Sequence, residues 1–523
     1  MTTLFSAAEV QTAAGQLGDS VLVDDGRVAA VGSRQELVAQ ADIEHHHEGA
    51  TIIPGLRDAH IHPVGYAAAL TGVTLDAITD LAGMGGVLRD AAAPLPAGAP
   101  LIVIRFDDQA VVEGRLPTRI DIDEAVADRP TLVHRYCGHI AIANTPALAA
   151  AGVDATTPDP QGGSLDRDPD GTPTGVLRET AIDLVTAFIK DAAGPQPQQV
   201  LDALSRLAGL GITSIGGMLG LGDGPWSSLG DEVDTMVSIS DDLPITVHAL
   251  VIARTADALI EARHRIDAAG TRLRWAGLKL FADGSLGGHT AAMHAPFTDA
   301  PNEIGTMRLT DSDLDLAGIA LDEGGMVAIH AIGDRANGAV LDAFTTLIGN
   351  SAPPDRLRLE HASVLTPTDI DRIGALGIIA SVQPAFLGSE ASWLGARVGE
   401  DRLAYSYPFA SLQAAGANLA AGSDSPVESP DPFAGMALAR DRAGLTPEES
   451  LDAASALGIF TDGGAVALAE PAPLAIGSPA DLVVVDRNPV RATPDELRDA
   501  AVLTTIVHGV EVPVDRTQPV WVS

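Results

Sequence analysis

From Thr51 onward, short apolar runs alternate with stretches of helical periodicity. That pattern points to parallel β/α units, in which each strand is followed by a helix that carries the chain back to start the next one. Eight candidate strands end near His62, Gly216, Leu250, Phe281, Ala331, His361, Gln383 and Asp424. The helical stretches between them include Gln199 to Leu210, Asp257 to Ala268, Leu314 to Glu323 and Asn337 to Ile348. Eight such units predict an α/β fold, a (β/α)₈ TIM barrel. The spacing agrees: His330 to His361 is about 31 residues, one unit, and His361 to Asp424 is about 63, two units.

One interval breaks the rhythm. Roughly 150 residues separate His62 from the next barrel strand at 211–215, where a helix and its loops need a few tens. This interval has apolar strands of its own at 101–104 and 131–134 and a turn-rich stretch at 166–173. It predicts an inserted domain at 70–195, which leaves the barrel at its catalytic face and covers the site. Residues 1–50 read as short strands, with an Asp-Gly turn at Asp25-Gly26, and 477–486 and 503–510 are β-rich again. The two ends, 1–50 and 470–523, are expected to close a small β-sandwich, leaving 51–69 and 196–469 to the barrel. The triplet His45-His46-His47 cannot turn all its side chains to one side of a strand, so it reads as surface.

Composition narrows the function. The formal charge is −38, with 70 acidic and 32 basic residues, a field that repels nucleic acid and anionic membranes. No run of about 18 uninterrupted apolar residues suggests a membrane span. Cys137 is the only cysteine, so no disulfide forms within the chain. With no basic, apolar leader at the start, the expectation is a cytoplasmic protein acting on a small molecule, with a homodimer allowed.

Chemistry gathers at the predicted strand ends. His60 and His62 alternate onto one face of a strand, where two imidazoles either grip a metal ion or are merely polar. His330, His361 and Asp424 close three other strands, and in a barrel such ends converge. Imidazole and carboxylate suit zinc and related divalent ions. Lys279 lies in an apolar strand that disfavours its charge. Two readings stay open there. The neutral amine can take up CO₂ to form a carbamate that bridges two cations, or the ammonium can pair with an acid such as Asp283.

Taken in order, His60-x-His62, Lys279, His330, His361 and Asp424 resemble the amidohydrolase superfamily. Longer strings narrow the resemblance to amidohydrolase family 3, the YtcJ-like metal-dependent hydrolases: 54–62 (PGLRDAHIH), 279–287 (KLFADGSLG), 330–336 (HAIGDRA), 358–362 (RLEHA) and 422–427 (GSDSPV). The insertion contributes 138–144 (GHIAIAN) and 175–179 (GVLRE), and the C-terminal segment 477–482 (GSPADL). The family departs from this chain near Arg105-Phe106, where relatives often carry Gly-Trp, and at Tyr136-Cys137. Both departures lie in the insertion and bear on the substrate.

The resemblance implies metal-dependent hydrolysis of a non-peptide C–N bond in an amide, N-acyl or N-formyl compound. His60, His62 and Asp424 would hold one metal, His330 and His361 another, with carbamylated Lys279 as the bridge. Zinc is the default, two ions in all, with Mn²⁺, Fe²⁺ or Ni²⁺ as alternatives. Asp424 would serve as general base and acid for a metal-activated hydroxide. His139 and Glu179 are candidates to reach the substrate from the insertion, and Asp283 to support the ligands from behind. The same centre would suit an ester, lactone or phosphoester. A non-catalytic binding or assembly relative would be marked by lost ligands, and all six positions are present.

Overall fold

The computed structural model describes residues 1–186, 194–222 and 229–513. Parts of the expected insertion (187–193), barrel (223–228) and C-terminal segment (514–523) lie outside the described residues.

Eight parallel strands form the central sheet: Leu56–Ile61, Ile212–Gly220, Thr246–Ile252, Leu273–Phe281, Met326–Ala331, Leu357–His361, Ile379–Val382 and Asn418–Ala421. Each pairs in parallel with the next in sequence order. Most are buried along their whole length, as parallel strands covered by helices must be. The sheet is nearly closed into a barrel. At the seam the Asp424 N–H donates to the His60 carbonyl at 2.7 Å. Gly422 allows this approach, since a Cβ there would lie 2.6 Å from the His60 nitrogen.

The helices form where the periodicity places them, at Pro197–Gly209, Ala256–Asp267, Asp311–Asp322 and Asp334–Gly349. Side-chain caps fix several starts: Thr255 accepts from the Ala258 N–H, and Thr310 from that of Asp313. Gly377, at φ 69°, ends the helix Pro367–Leu376 in the left-handed conformation.

Strands from both ends of the chain join in one hydrogen-bonded sheet of eight. Thr2–Thr12 pairs with Gly15–Asp24, Ile43–His46 and Thr51–Pro54, and Leu482–Val485 links Thr51–Pro54 to Val502–Val507. The apolar run at 51–56 is therefore divided: Thr51–Pro54 belongs to the terminal sheet, and the barrel begins at Leu56. His45 and His46 are exposed.

Between the first and second barrel strands lies a separate five-stranded sheet, ordered Gly163–Arg167, Pro173–Glu179, Ile140–Ala143, Thr131–Arg135, Leu101–Phe106. It has apolar clusters of its own, around Leu88, Phe106 and Ile142 on one side and Leu132, Leu148 and Leu177 on the other. Its loops reach the barrel mouth.

Candidate metal centre

His60, Lys279, His330 and His361 sit on four barrel strands, His62 directly follows the first, and Asp424 lies three residues beyond the last. All six line one cavity of about 920 Å³, mouth included. The convergence of strand ends that the sequence predicts is thus what the barrel brings about. His361 and Asp424 have left-handed backbones, φ 73° and 57°. Non-glycine residues pay for that conformation, and it concentrates at functional sites.

His60 is fully buried and held by both ring nitrogens' surroundings. Its Nδ1 lies 2.6 Å from Glu360 Oε2, and Glu360 in turn accepts from Arg358 Nε at 2.8 Å. Burial works against the charge of Glu360, but Arg358 and His60 hold it well below the usual carboxylate range. An ionised Glu360 accepts a hydrogen bond from the Nδ1–H, which leaves the lone pair on Nε2. That atom is buried with no aligned hydrogen-bond partner, yet Asp424 Oδ1 is only 3.2 Å away. His62 Nε2 is 3.4 Å from the same oxygen. Two ligands on one tetrahedral zinc, each about 2.0–2.1 Å from it, stand roughly 3.3 Å apart. The donor set therefore fits a cation shared by these side chains. Without one, burial alone would depress His60 and lift Asp424. Their mutual attraction, helped by Glu360, reverses both directions, raising His60 and holding Asp424 well below its usual range.

His361 and His330 are anchored in the same manner. His361 Nδ1 lies 2.8 Å from the Gln383 carboxamide oxygen, which leaves Nε2 to the cavity. His330 turns Nε2 to the Gly284 carbonyl at 2.9 Å and lies 3.3 Å from Asp283 Oδ1, leaving Nδ1 as its free acceptor. One nitrogen fixed by an oxygen and the other open is the usual state of a metal-binding histidine. Ring centroids of His60 and His361 are 4.9 Å apart, those of His330 and His361 4.5 Å. His60, His361 and Asp424 offer ligand atoms that all lie within 4.8 Å of one another.

Lys279 does not pair with Asp283. Asp283 accepts backbone N–H bonds from Ala292, Ile332 and Gly333 at 2.8–3.0 Å, and burial pushes it up to about 7. Lys279 Nζ instead lies 3.8 Å from the centroid of the Phe281 ring. Burial brings it down to about 8, although Glu360 and Asp424 act in the opposite sense. The neutral amine is therefore far more accessible near neutral pH than in an exposed lysine.

The insertion supplies the facing wall. His139 lines the cavity with its ring centroid 5.1 Å from that of His330. Glu179 stands behind it rather than on the wall, closing the strand Pro173–Glu179. Its Oε2 meets His139 Nδ1 at 2.9 Å and Arg308 Nη1 at 2.8 Å. Burial opposes its charge, but His139 and Arg308 hold Glu179 down at about 2. Arg105 has φ 67°, a left-handed conformation that favours glycine. Its guanidinium bonds Asp76 and crosses to the Pro426 carbonyl, tying the insertion to the loop that follows Asp424.

Several site residues escape sequence reasoning. Glu360 had a signal: Arg358 and Glu360 are opposite charges at i, i+2, on one face of an apolar strand. Gln383 directly follows the strand Ile379–Val382, and Asp58 accepts from Ser423 Oγ at 2.5 Å and Ser423 N at 3.0 Å, fixing the loop before Asp424. Burial pushes Asp58 up to about 6 despite these bonds.

The chain is similar to known proteins. The sequence profile of the amidohydrolase family matches residues 48–513. The YtcJ protein of Bacillus subtilis (strain 168), provisionally named an amidohydrolase, is 29% identical over 516 residues, covering 95% of this chain and 96% of its own. The N-substituted formamide deformylase of Arthrobacter pascens is 30% identical, covering 96% of each chain. A crystal structure of an uncharacterized metal-dependent hydrolase from Pyrococcus horikoshii superposes with a TM-score of 0.75 at 25% identity, covering 95% of this chain and 99% of that one.

Proposed function

Since the chain belongs to the amidohydrolase family, we propose that it hydrolyses a non-peptide C–N bond, in an amide, N-acyl or N-formyl compound of small size. The observation that carries this reading is the facing pair of His60 Nε2 and Asp424 Oδ1, two acceptors 3.2 Å apart with the Nδ1 proton already committed to Glu360. The similarity to a formamide deformylase supports the C–N bond over an ester.

His60, His62, His330, His361 and Asp424 would hold divalent metal, zinc by ligand type, and Lys279, as a carbamate formed with CO₂, would add a further oxygen ligand. Metal bound there supplies acidity to a water molecule and polarises the scissile carbonyl. Glu360 and Gln383 keep the His60 and His361 rings in the tautomer that presents Nε2. Asp424 receives the water proton on its carboxylate and delivers it to the departing nitrogen. His139, oriented by Glu179, contacts the substrate from the insertion. The insertion, held down by Arg105, limits bulk water around the reacting carbonyl.

Protein reconstituted with zinc, manganese, iron or nickel is to be assayed on N-formyl and N-acyl amines and on matched esters, lactones and phosphoesters. Amine release that stops on chelation and returns with metal is the expected result. Turnover confined to the oxygen esters would replace this reading with ester hydrolysis.

A further inference from the structure

Arg135 ends the strand Thr131–Arg135 of the insertion and lies on the wall of the cavity that holds the metal residues. It is only 2% exposed. Its Nε donates to Asp108 Oδ1 at 2.5 Å, and its Cζ lies 4.4 Å from the centroid of the Tyr136 ring. The outer end of the fork is different. Nη1 and Nη2 are both buried, and neither has a hydrogen-bond partner. The nearest further carboxylate, Asp107, stands 3.9 Å from Nη2, beyond bonding distance. The neighbouring Cys137 thiol is a weak acceptor. Gly287, in the loop after the Lys279 strand, lets the fork approach closely: a Cβ there would lie 2.7 Å from Nη1 and 3.0 Å from Nη2, so only glycine admits the guanidinium in this place.

Buried donors left unpaired are costly, and a bound acceptor relieves that cost. A guanidinium fork matches a planar carboxylate through two parallel N–H bonds. The other cations on the wall are engaged: Arg105 with Asp76 and Pro426, Lys279 with the Phe281 ring. One open fork suits a single negative charge better than a phosphate dianion. Around it the cavity is apolar, with Ile102, Ile104, Phe281 and Val427.

We propose that Arg135 binds a carboxylate on the substrate, so that the bond hydrolysed lies in an amide carrying a carboxylate beside an apolar group, as in an N-formyl or N-acyl amino acid. This rests on the reading of the cavity as a C–N hydrolase site.

The test uses full-length, metal-loaded protein and the N-formyl and N-acetyl derivatives of alanine, leucine and phenylalanine, each as the free acid and as its carboxamide. Preference is read as kcat/KM where a compound is turned over and as calorimetric affinity where it is not. The free acids are expected to be favoured by at least about tenfold, because a neutral carboxamide cannot accept both fork bonds. In Arg135→Gln the ratio falls toward one. In Arg135→Lys it is intermediate, since the charge survives and the fork does not. If no amide is turned over, the C–N reading fails, yet an acid preference in binding that Arg135→Gln removes still sustains the carboxylate site. An acid-to-carboxamide ratio near one in the wild type overturns the site, whether or not turnover occurs and whether or not the variants fold. An unchanged ratio in folded Arg135→Gln overturns it as well.

Discussion

Glu360 Oε2 lies 2.6 Å from His60 Nδ1, and through that contact a residue that does not line the cavity decides which nitrogen His60 offers to it. Replacing Glu360 by Gln keeps an acceptor and removes the charge. Metal affinity is expected to fall by about 10–100-fold, the usual cost of losing such a partner, read by chelator competition. Glu360→Ala should also destabilise the fold by about 3–5 kcal/mol, because Arg358 would stay buried without its carboxylate. Unchanged metal affinity in Glu360→Gln would show that the tautomer is fixed in another way.

His60→Ala and His330→Ala should each abolish hydrolysis and lower metal content, with near-ultraviolet circular dichroism still that of a folded protein. Both side chains sit at converging strand ends, not within an apolar cluster. Either variant keeping full activity and full metal would remove it from the ligand set.

The insertion should set substrate choice without setting metal content. His139→Ala is expected to lower kcat/KM by about 100-fold with the metal retained. Glu179→Gln should act in the same direction more weakly, since it reaches the cavity only through His139. Exchanging the insertion for that of a relative should change the substrate profile, and an unchanged profile would count against this role.

The barrel was legible because its strands are short apolar runs that alternate with stretches of helical periodicity, and both periods are local. The division of 51–56 was not, because the partner of Thr51–Pro54 is Leu482–Val485, more than about 400 residues away, and pairing at that distance leaves no local mark. The six converging residues could be picked out by their positions at strand ends. How they are anchored could not. Asp283 looked free to pair with Lys279, but three backbone amides, one from its own loop and two from the loop after the next strand, fill it. The left-handed φ of Arg105, and its tie from the insertion to the Pro426 carbonyl, left no mark in the sequence.

Glu232 gives a pH test apart from the proposed ligands. It is buried beside the cavity, accepts the Gly220 N–H at 2.7 Å, and burial raises it from 4.5 to about 8. Below pH 4.5 both the folded and unfolded chains hold this proton. Between about 4.5 and 8 the unfolded chain releases it while the folded chain keeps it, so stability falls as pH rises through that window. Glu232→Gln carries no such loss. Its stability relative to wild type, from urea titrations at pH 5 and pH 9, should therefore be higher at pH 9. The opposite order would mean that Glu232 is ionised at low cost.

Lys279 carries the central claim. Lys279→Ala should lose one or both metals and nearly all activity. Lys279→Glu should recover part of the metal, since it restores a carboxylate on a shorter arm. The most direct measurement is the electron density at Lys279 Nζ, with anomalous scattering from zinc, in crystals grown with metal and bicarbonate. The account predicts a planar group extending from Nζ and ions on both sides of it, about 3.5–4 Å apart, one of them beside His60 Nε2 and Asp424 Oδ1. A bare Nζ still lying over the Phe281 ring, with no ion between His60 and Asp424, would contradict it.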